Sequence, residues 1–321
     1  MALSLSQIQA ATDDYVEKRS IDIFFTENVL LWKLMGRGGM EMDIVKAGDT
    51  VDGGEKIRVI LEYAEANSGS YGNTTKIPQS KVDILNAARF GWAGYYASNT
   101  IDLDEQVQNT GAEAYVKLIL TKLRNIEKTI RNKMGSEIYA QGTAPSLMGL
   151  GNLFLSTVGT AYGNIEEEDM ARWQANNITD AEAISFKVMQ KIWRTPAIGI
   201  ARSKKPNLGI TTELLKDGYE RTLQTQQRFQ DTDLVKAGFD NIMHKLAPIV
   251  ADDNQTTGYL DALNLNYLKI KTHGDYNFTK PVWEYDKEQP DAKTANTRWI
   301  GQLVCSNRKA HCRHTNLTEP N

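Results

Sequence analysis

The chain has 321 residues, 41% hydrophobic and 24% charged, with a formal net charge of −3 and a pI near 5.9. That length exceeds what a single core usually serves, so two packed lobes with extensions are expected. The charge balance argues against a dedicated nucleic-acid binder, which needs clustered Lys and Arg, and two cysteines cannot build a disulfide framework.

No apolar run approaches the roughly 20 residues that span a bilayer. Met1-Ala2-Leu3-Ser4-Leu5-Ser6 lacks the basic and long apolar regions of a secretory signal. A cytoplasmic protein is expected, so triplets such as Asn73-Thr74-Thr75 and Asn177-Ile178-Thr179 are chance glycosylation matches.

Residues 1 to about 35 read as an arm, with a short helix around Ile8 to Val16 and a hydrophobic anchor at Asn28-Val29-Leu30-Leu31-Trp32. The anchor suits either a core plug or an intersubunit hook, and the tendency of large apolar side chains to be buried favours the plug. Gly36-Arg37-Gly38-Gly39 then breaks the chain. A strand follows over 55–63, with Ile57, Val59, Leu61 and Tyr63 on one face. Its return, Val82 to Tyr96, places Val82, Ile84, Ala88, Phe90, Trp92 and Tyr96 on alternate positions. Asn67-Ser68-Gly69-Ser70-Tyr71-Gly72-Asn73 forms the tip between them, with Lys76 just beyond. A two-stranded ribbon is marginal in water, so this one needs a surface to lie on, for which a second copy of the chain is the natural candidate.

Asp102-Leu103-Asp104-Glu105 reads as a cap on the turn into a long helix, Ala112 to about Ala140. Tyr115, Ile119, Leu123, Ile126, Ile130, Met134 and Ile138 recur there at spacings of three and four, a stripe suited to a core. At 1.5 Å per residue the helix is roughly 40 Å long. Leu147-Met148-Gly149-Leu150-Gly151 is a glycine turn without the Lys-Ser/Thr ending of a phosphate loop. Glu166-Glu167-Glu168-Asp169 reads as the acidic first turn of a short helix before Trp173.

From Thr179 helices and strands alternate, as in a second lobe of α/β or α+β type. Thr179-Asp180-Ala181-Glu182 has the form of a capping box opening a helix through Trp193. Ile198 to Ala201 reads as a short strand, and Thr211 as the cap of a helix carrying Leu215, Tyr219 and Leu223. Further strands are expected at Lys245 to Val250, Tyr267 to Thr272 and, alternating cleanly, Trp299 to Cys305.

Catalytic and cofactor motifs are missing: no His-Glu-x-x-His, no Gly-x-Ser-x-Gly and no Gly-x-Gly-x-x-Gly behind a strand. His244, beside Met243 on an apolar stretch, reads as structural. Cys305, His311, Cys312 and His314 are zinc-type ligands, but their spacing is neither C-x2-C nor H-x3-H, and His311 and Cys312 would point apart on a strand, so a structural zinc is the minor reading. Arg308, Lys309 and Arg313 among them form a basic strip, suited to a subunit contact or to phosphate on an inner surface.

These segments, in this order, resemble the major capsid proteins of tailed bacteriophages, the HK97-fold family. Asn28-Val29-Leu30-Leu31 is similar to the family's leading segment, the hairpin to its E-loop and Ala112 to Ala140 to the spine helix of its peripheral (P) domain. Gly149-Leu150, Tyr162-Gly163-Asn164-Ile165 and Trp173 resemble the link to the axial (A) domain. Lys205-Pro206-Asn207, Gln227-Arg228-Phe229 and Ala237-Gly238-Phe239 resemble that domain's core. Leu263-Asn264-Leu265-Asn266-Tyr267-Leu268 and Gly301-Gln302-Leu303-Val304-Cys305-Ser306-Asn307-Arg308 carry the sharpest likeness.

The resemblance implies an α+β, HK97-like fold: an arm over 1–41, an E-loop with flanking strands over 42–105, a P-domain over 106–178, an A-domain over 179–272 and a return to the P-domain with the C-terminal strand over 273–321. It implies a shell subunit with no catalytic, cofactor or metal site, assembled in the host bacterial cytoplasm into the virion. Its partners would be copies of itself in hexamers and pentamers, a scaffolding protein, a portal, a decoration protein and, non-specifically, packaged double-stranded DNA, with no membrane. The expected intersubunit residues are Ile57, Val59, Leu61, Tyr63, Tyr71, Lys76, Trp92, Leu31 and Trp32. The alternative within the fold is an encapsulin-like compartment holding an enzyme. Outside it stand a metal-dependent hydrolase using Asp102, Asp104 and the C-terminal histidines, and a tail component that forms rings or tubes.

Overall fold

The computed structural model describes residues 28–35 and 50–320, except 71, 73–75, 77–79, 109–111, 157–160, 171–172, 198, 200, 224–239, 280, 287–288 and 290. The expected helix at 8–16, the glycine break at 36–39 and the segments 227–229 and 237–239 lie outside these residues. In chain order the elements are α1 (Val29–Met35), β1 (Thr50–Val51), β2 (Ile57–Glu62), β3 (Leu85–Phe90), β4 (Ala93–Ile101), α2 (Leu103–Gln108) and α3 (Ala112–Glu137). Next come α4 (Leu150–Leu153), β5 (Asn176–Ile178), β6 (Glu182–Ala183), α5 (Phe186–Arg194), β7 (Leu208–Thr211) and α6 (Glu213–Thr222). The chain closes with β8 (Asn241–His244), β9 (Ala247–Ala251), β10 (Leu260–Leu263), β11 (Leu268–His273), β12 (Val282–Tyr285), β13 (Lys293–Cys305), β14 (Cys312–His314) and β15 (Leu317–Thr318).

The first core forms around α3. Every member of its stripe, from Tyr115 to Ile138, is buried, packed with α1, the inner face of β2–β3 and a five-stranded sheet. The hub of that sheet is β13, thirteen residues long and six longer at its start than the alternation suggested. It pairs antiparallel with β4 over 293–301, with β12 over 293–296 and with β11 over 301–305. Where α3 ends, Gly149 and Gly151 bring α4 onto its last carbonyls: a Cβ on Gly149 would lie 2.5 Å from the oxygens of Glu137 and Ile138. These glycines serve close backbone approach.

The second lobe is built on a six-stranded mixed sheet, ordered β5-β14-β10-β7-β9-β8. β7 and β10 are buried at every position because both faces are covered. Ile249, Leu260 and Ala262 face α5 and α6, while Leu208, Ile210, Val250 and Leu263 join the core around α3.

Several local expectations change. The return of the ribbon is two strands: buried positions run Ala88, Phe90 in β3 and then Ala93, Tyr95, Ala97 in β4. Gly91-Trp92 shifts the phase by one residue, so Tyr96 faces solvent, and β4 leaves β2 for β13. The capping box opens no helix. Glu182–Ala183 pairs with β15, Asp180 and Glu182 both hold Lys191, and Ser185 caps a helix that starts at Phe186.

Thr211 ends β7 and donates to the Tyr259 carbonyl, leaving Thr212 as the cap of α6. Gly199 and Ala201 are bends, not strand; Ile198 and Ile200 lie outside the described residues. Lys245-Leu246 is the two-residue turn of the β8–β9 hairpin, with φ of 48° and 65°, so the expected strand begins only at Ala247. Asp104 and Glu105 sit in the first turn of α2, a separate helix, and Glu105 reaches Lys122 of α3 at 2.9 Å.

Candidate assembly surfaces

Among the described residues β2 and β3 pair only with each other. Tyr63 N–H donates to the Ile84 carbonyl, and alternation from that bond points the N–H of Val59 into the ladder towards Ala88. The N–H of Arg89 points the other way and donates to the Gly163 carbonyl at 2.8 Å. Phe90 meets Tyr162 edge-on at 5.2 Å. The base of the ribbon therefore lies on its own chain, where a second copy was the expected support.

At the feet, Gly53 and Gly54 take φ of 128° and 109°, and Trp92 Nε1–H donates to the Gly54 carbonyl at 2.7 Å, tying the outgoing strand to the return. Towards the tip, Asn67 Nδ2 donates to the Ser80 carbonyl at 2.9 Å.

The expected contact residues divide. Ile57, Leu61 and Leu31 are buried in their own chain, so they support the surface from beneath. Val59, Trp92 and Trp32 are half-buried, with Lys33 Nζ 5.0 Å from the Trp32 ring. Tyr63 and Lys76 are exposed, and Tyr71 lies outside the described residues. The reading of the sequence missed Ile60 (72% exposed) and Leu85 (62%), on the outer face with Arg58, Glu62, Ala87 and Arg89. Ile60 was detectable as an apolar residue set out of phase between Arg58 and Glu62. Apolar side chains bare on a two-stranded ribbon mark a face built to be covered.

Two of the three residues of the C-terminal basic strip are internal, and Lys309 is half-buried. Arg308 is buried, with Nη1 2.8 Å from Glu167 Oε1. It also donates from Nε to the Leu153 carbonyl at 2.5 Å, and from its terminal nitrogens to the carbonyls of Leu155 and Trp173. Glu167 thus serves a buried guanidinium from a turn; no helix spans 166–169. Arg313 is equally internal, bound through two nitrogens to Asp261 and covered by the rings of Phe154 (4.6 Å) and Tyr259 (5.2 Å).

The Cys/His cluster is divided between the cores. Cys305 belongs to the first and Cys312 to the second, and burial pushes both thiols up to about 12. His311 accepts from the Asn264 N–H at Nδ1, turns Nε2 towards Cys305 Sγ at 3.5 Å, and is drawn by burial down to about 3. His314 lies apart, 3.4 Å from Glu182. Among the described residues no group of His, Cys, Asp and Glu has the geometry to hold a metal, and no helix is long and apolar enough to cross a membrane. His244 is a core residue bonded to Tyr219 OH at 2.7 Å and ringed by Phe186, Trp193 and Tyr219; burial first, then the charge of Lys245, draws it down to about 4.

No protein-family model and no curated protein matches the sequence. Solved structures do match the fold. A chain of the capsid asymmetric unit of cyanophage A-1(L) superposes with a TM-score of 0.68 at 16% identity, over 92% of this chain and 94% of that one. A capsid chain of a native GTA particle gives 0.57 at 8%, over 83% and 86%. A chain of Mycobacterium phage Patience gives 0.52 at 11%, over 99% and 88%. The chain is therefore an α+β protein with the fold of phage capsid subunits.

Proposed function

We propose that this chain is the major capsid protein of a tailed bacteriophage, a structural subunit that assembles into the icosahedral shell around the genome. The observation that carries the proposal is the likeness to the cyanophage capsid chain over more than nine-tenths of both lengths. The bared apolar face of the β2–β3 ribbon supports it independently. In this reading the fold is HK97-like: the ribbon is the E-loop, α3 the spine of the P-domain, and the lobe on the six-stranded sheet the A-domain. The division into 1–41, 42–105, 106–178, 179–272 and 273–321 goes with it.

Such a subunit works through its surfaces and needs no catalytic residue. Obligate interfaces commonly bury roughly 2,000 Å² or more, and closed symmetry stops growth at a shell. Its partners are copies of itself, a scaffolding protein, the portal, a decoration protein and double-stranded DNA held without sequence preference. Arg308 and Arg313 are engaged internally and do not supply the DNA contact. The virion is its final location, after assembly in the host bacterial cytoplasm.

Electron microscopy of the chain expressed alone, and with a scaffolding partner, tests the proposal. Closed icosahedral particles are expected. Persistent monomers under both conditions would overturn it, and shells that enclose a protein cargo instead of DNA would convert it to a compartment.

A further inference from the structure

Lys293 is an unusual cation. It opens β13 opposite Ile101 of β4 and Tyr285 of β12, and is only 5% exposed. Its Nζ lies 5.9 Å from the ring centre of Tyr115 and 5.8 Å from that of Tyr285, with no hydrogen bond or ion pair to any described residue. The hydroxyl of Tyr115, buried beside it, also has no hydrogen-bond partner among the described residues. Neighbouring carboxylates are engaged: Asp286 accepts from Thr294 Oγ1 and the Gln289 N–H, and Glu105 pairs with Lys122. A buried ammonium is costly unless an anion meets it, and two ring faces offset only part of that cost. Burial accordingly lowers its pKa.

Exposed apolar residues on the elements near this lysine would form its socket. Tyr285, whose ring lies near its Nζ, is 57% exposed, and Leu103 (51%) and Val107 (63%) are exposed on α2. Gln106 Nε2, between those two, donates to the Asp291 carbonyl and ties α2 to the turn that leads into Lys293. A desolvated polar anchor inside an apolar ring is the usual anatomy of an interface hot spot.

The outer face of the ribbon carries the complementary chemistry. Glu62 is exposed, lies directly across from Leu85 and shares its face with Ile60 two residues away, so its carboxylate stands between two bared apolar side chains. We propose that Glu62 of one copy enters the socket of a second copy and pairs with Lys293, while Ile60 and Leu85 cover Leu103 and Val107. The proposal rests on the shell reading and names the contact through which the ribbon holds its neighbour.

Zero-length carbodiimide coupling tests it, because it joins only a carboxylate and an amine already in contact. Peptide mapping of assembled shells is expected to find an interchain Glu62–Lys293 link that is missing from dissociated subunits and lost in Glu62→Gln. Glu62→Lys, a change at an exposed site, is expected to raise the protein concentration needed for shell formation by about tenfold or more, since a fully desolvated like-charge pair replaces an opposite one. Shells in which Lys293 couples only to a carboxylate of its own chain, or not at all while other interchain links form, would overturn the contact and leave the shell reading standing. Failure of the unaltered chain to form any closed particle would overturn both.

Discussion

Arg313 and Asp261 are direct cross-strand partners on β14 and β10, joined by two parallel bonds, Nε to Oδ1 at 2.6 Å and Nη2 to Oδ2 at 2.7 Å, with both side chains buried. Gln255 Nε2 adds a third bond to Oδ2 at 2.8 Å. The pair fixes the end of the chain to the centre of the six-stranded sheet. Removing one partner leaves an uncompensated buried charge. Asp261→Asn or Arg313→Met alone should cost about 3–5 kcal/mol, and the apolar pair Asp261→Leu with Arg313→Met should recover much of it. Urea unfolding midpoints of the three variants measure this; a double-variant loss equal to the sum of the two single losses would show that the pair is not coupled.

Val59→Pro removes a donor from inside the β2–β3 ladder. The acceptor left without its partner should cost the ribbon about 1–3 kcal/mol. The subunit should stay folded on its two cores while shell closure fails. Light scattering and microscopy read the outcome, and normal shells would show that the ribbon is dispensable.

Gly149→Ala places a methyl group against the backbone oxygens of Glu137, Ile138 and Ala140, none of which can move without disturbing the end of α3. A loss of roughly 1–3 kcal/mol is expected. Gly94→Ala is the control, because a Cβ there meets nothing within 4 Å, and it should fall within about 0.5 kcal/mol of the parent. Thermal melts of the two variants separate close approach from a general intolerance of glycine replacement.

Acid should loosen both cores through His244 and His311, whose folded-state values near 4 and 3 lie below the ordinary histidine value of 6.5. Since the unfolded chain binds these protons first, their contribution is fully present above about pH 6.5 and declines as the pH falls towards 4 and then 3. Each can remove on the order of 3 kcal/mol. Denaturant midpoints between pH 7 and pH 4 should therefore fall more steeply than in His244→Phe, and parallel curves would exclude His244 as a source.

Local periodicity accounts for what the sequence made legible. Seven apolar residues at helical spacing from Tyr115 to Ile138 announce α3, and alternation announces β2 and β13, because a side chain's direction follows from the backbone repeat alone. The contact surface was half legible. The ribbon was readable, yet Ile57 and Leu61 turned inward and Ile60 and Leu85 carry the bare face. Which side of an alternating strand is covered depends on what packs against it, here Tyr162 from seventy residues or more away.

By itself, then, the sequence determined the repeating elements and the stripes that bury them. Tertiary structure alone decided the phase shift at Gly91-Trp92, the withdrawal of Arg308 and Arg313 into the interior, and the isolation of Lys293 between two tyrosines. Each depends on a meeting of distant strands or loops: β4 with β13, β10 with β14, and Glu167 with Arg308. A charged residue reads the same in sequence whether water or a buried partner will receive it. Long-range pairing supplies or withholds that partner, and so decides whether the charge is surface, strut or socket.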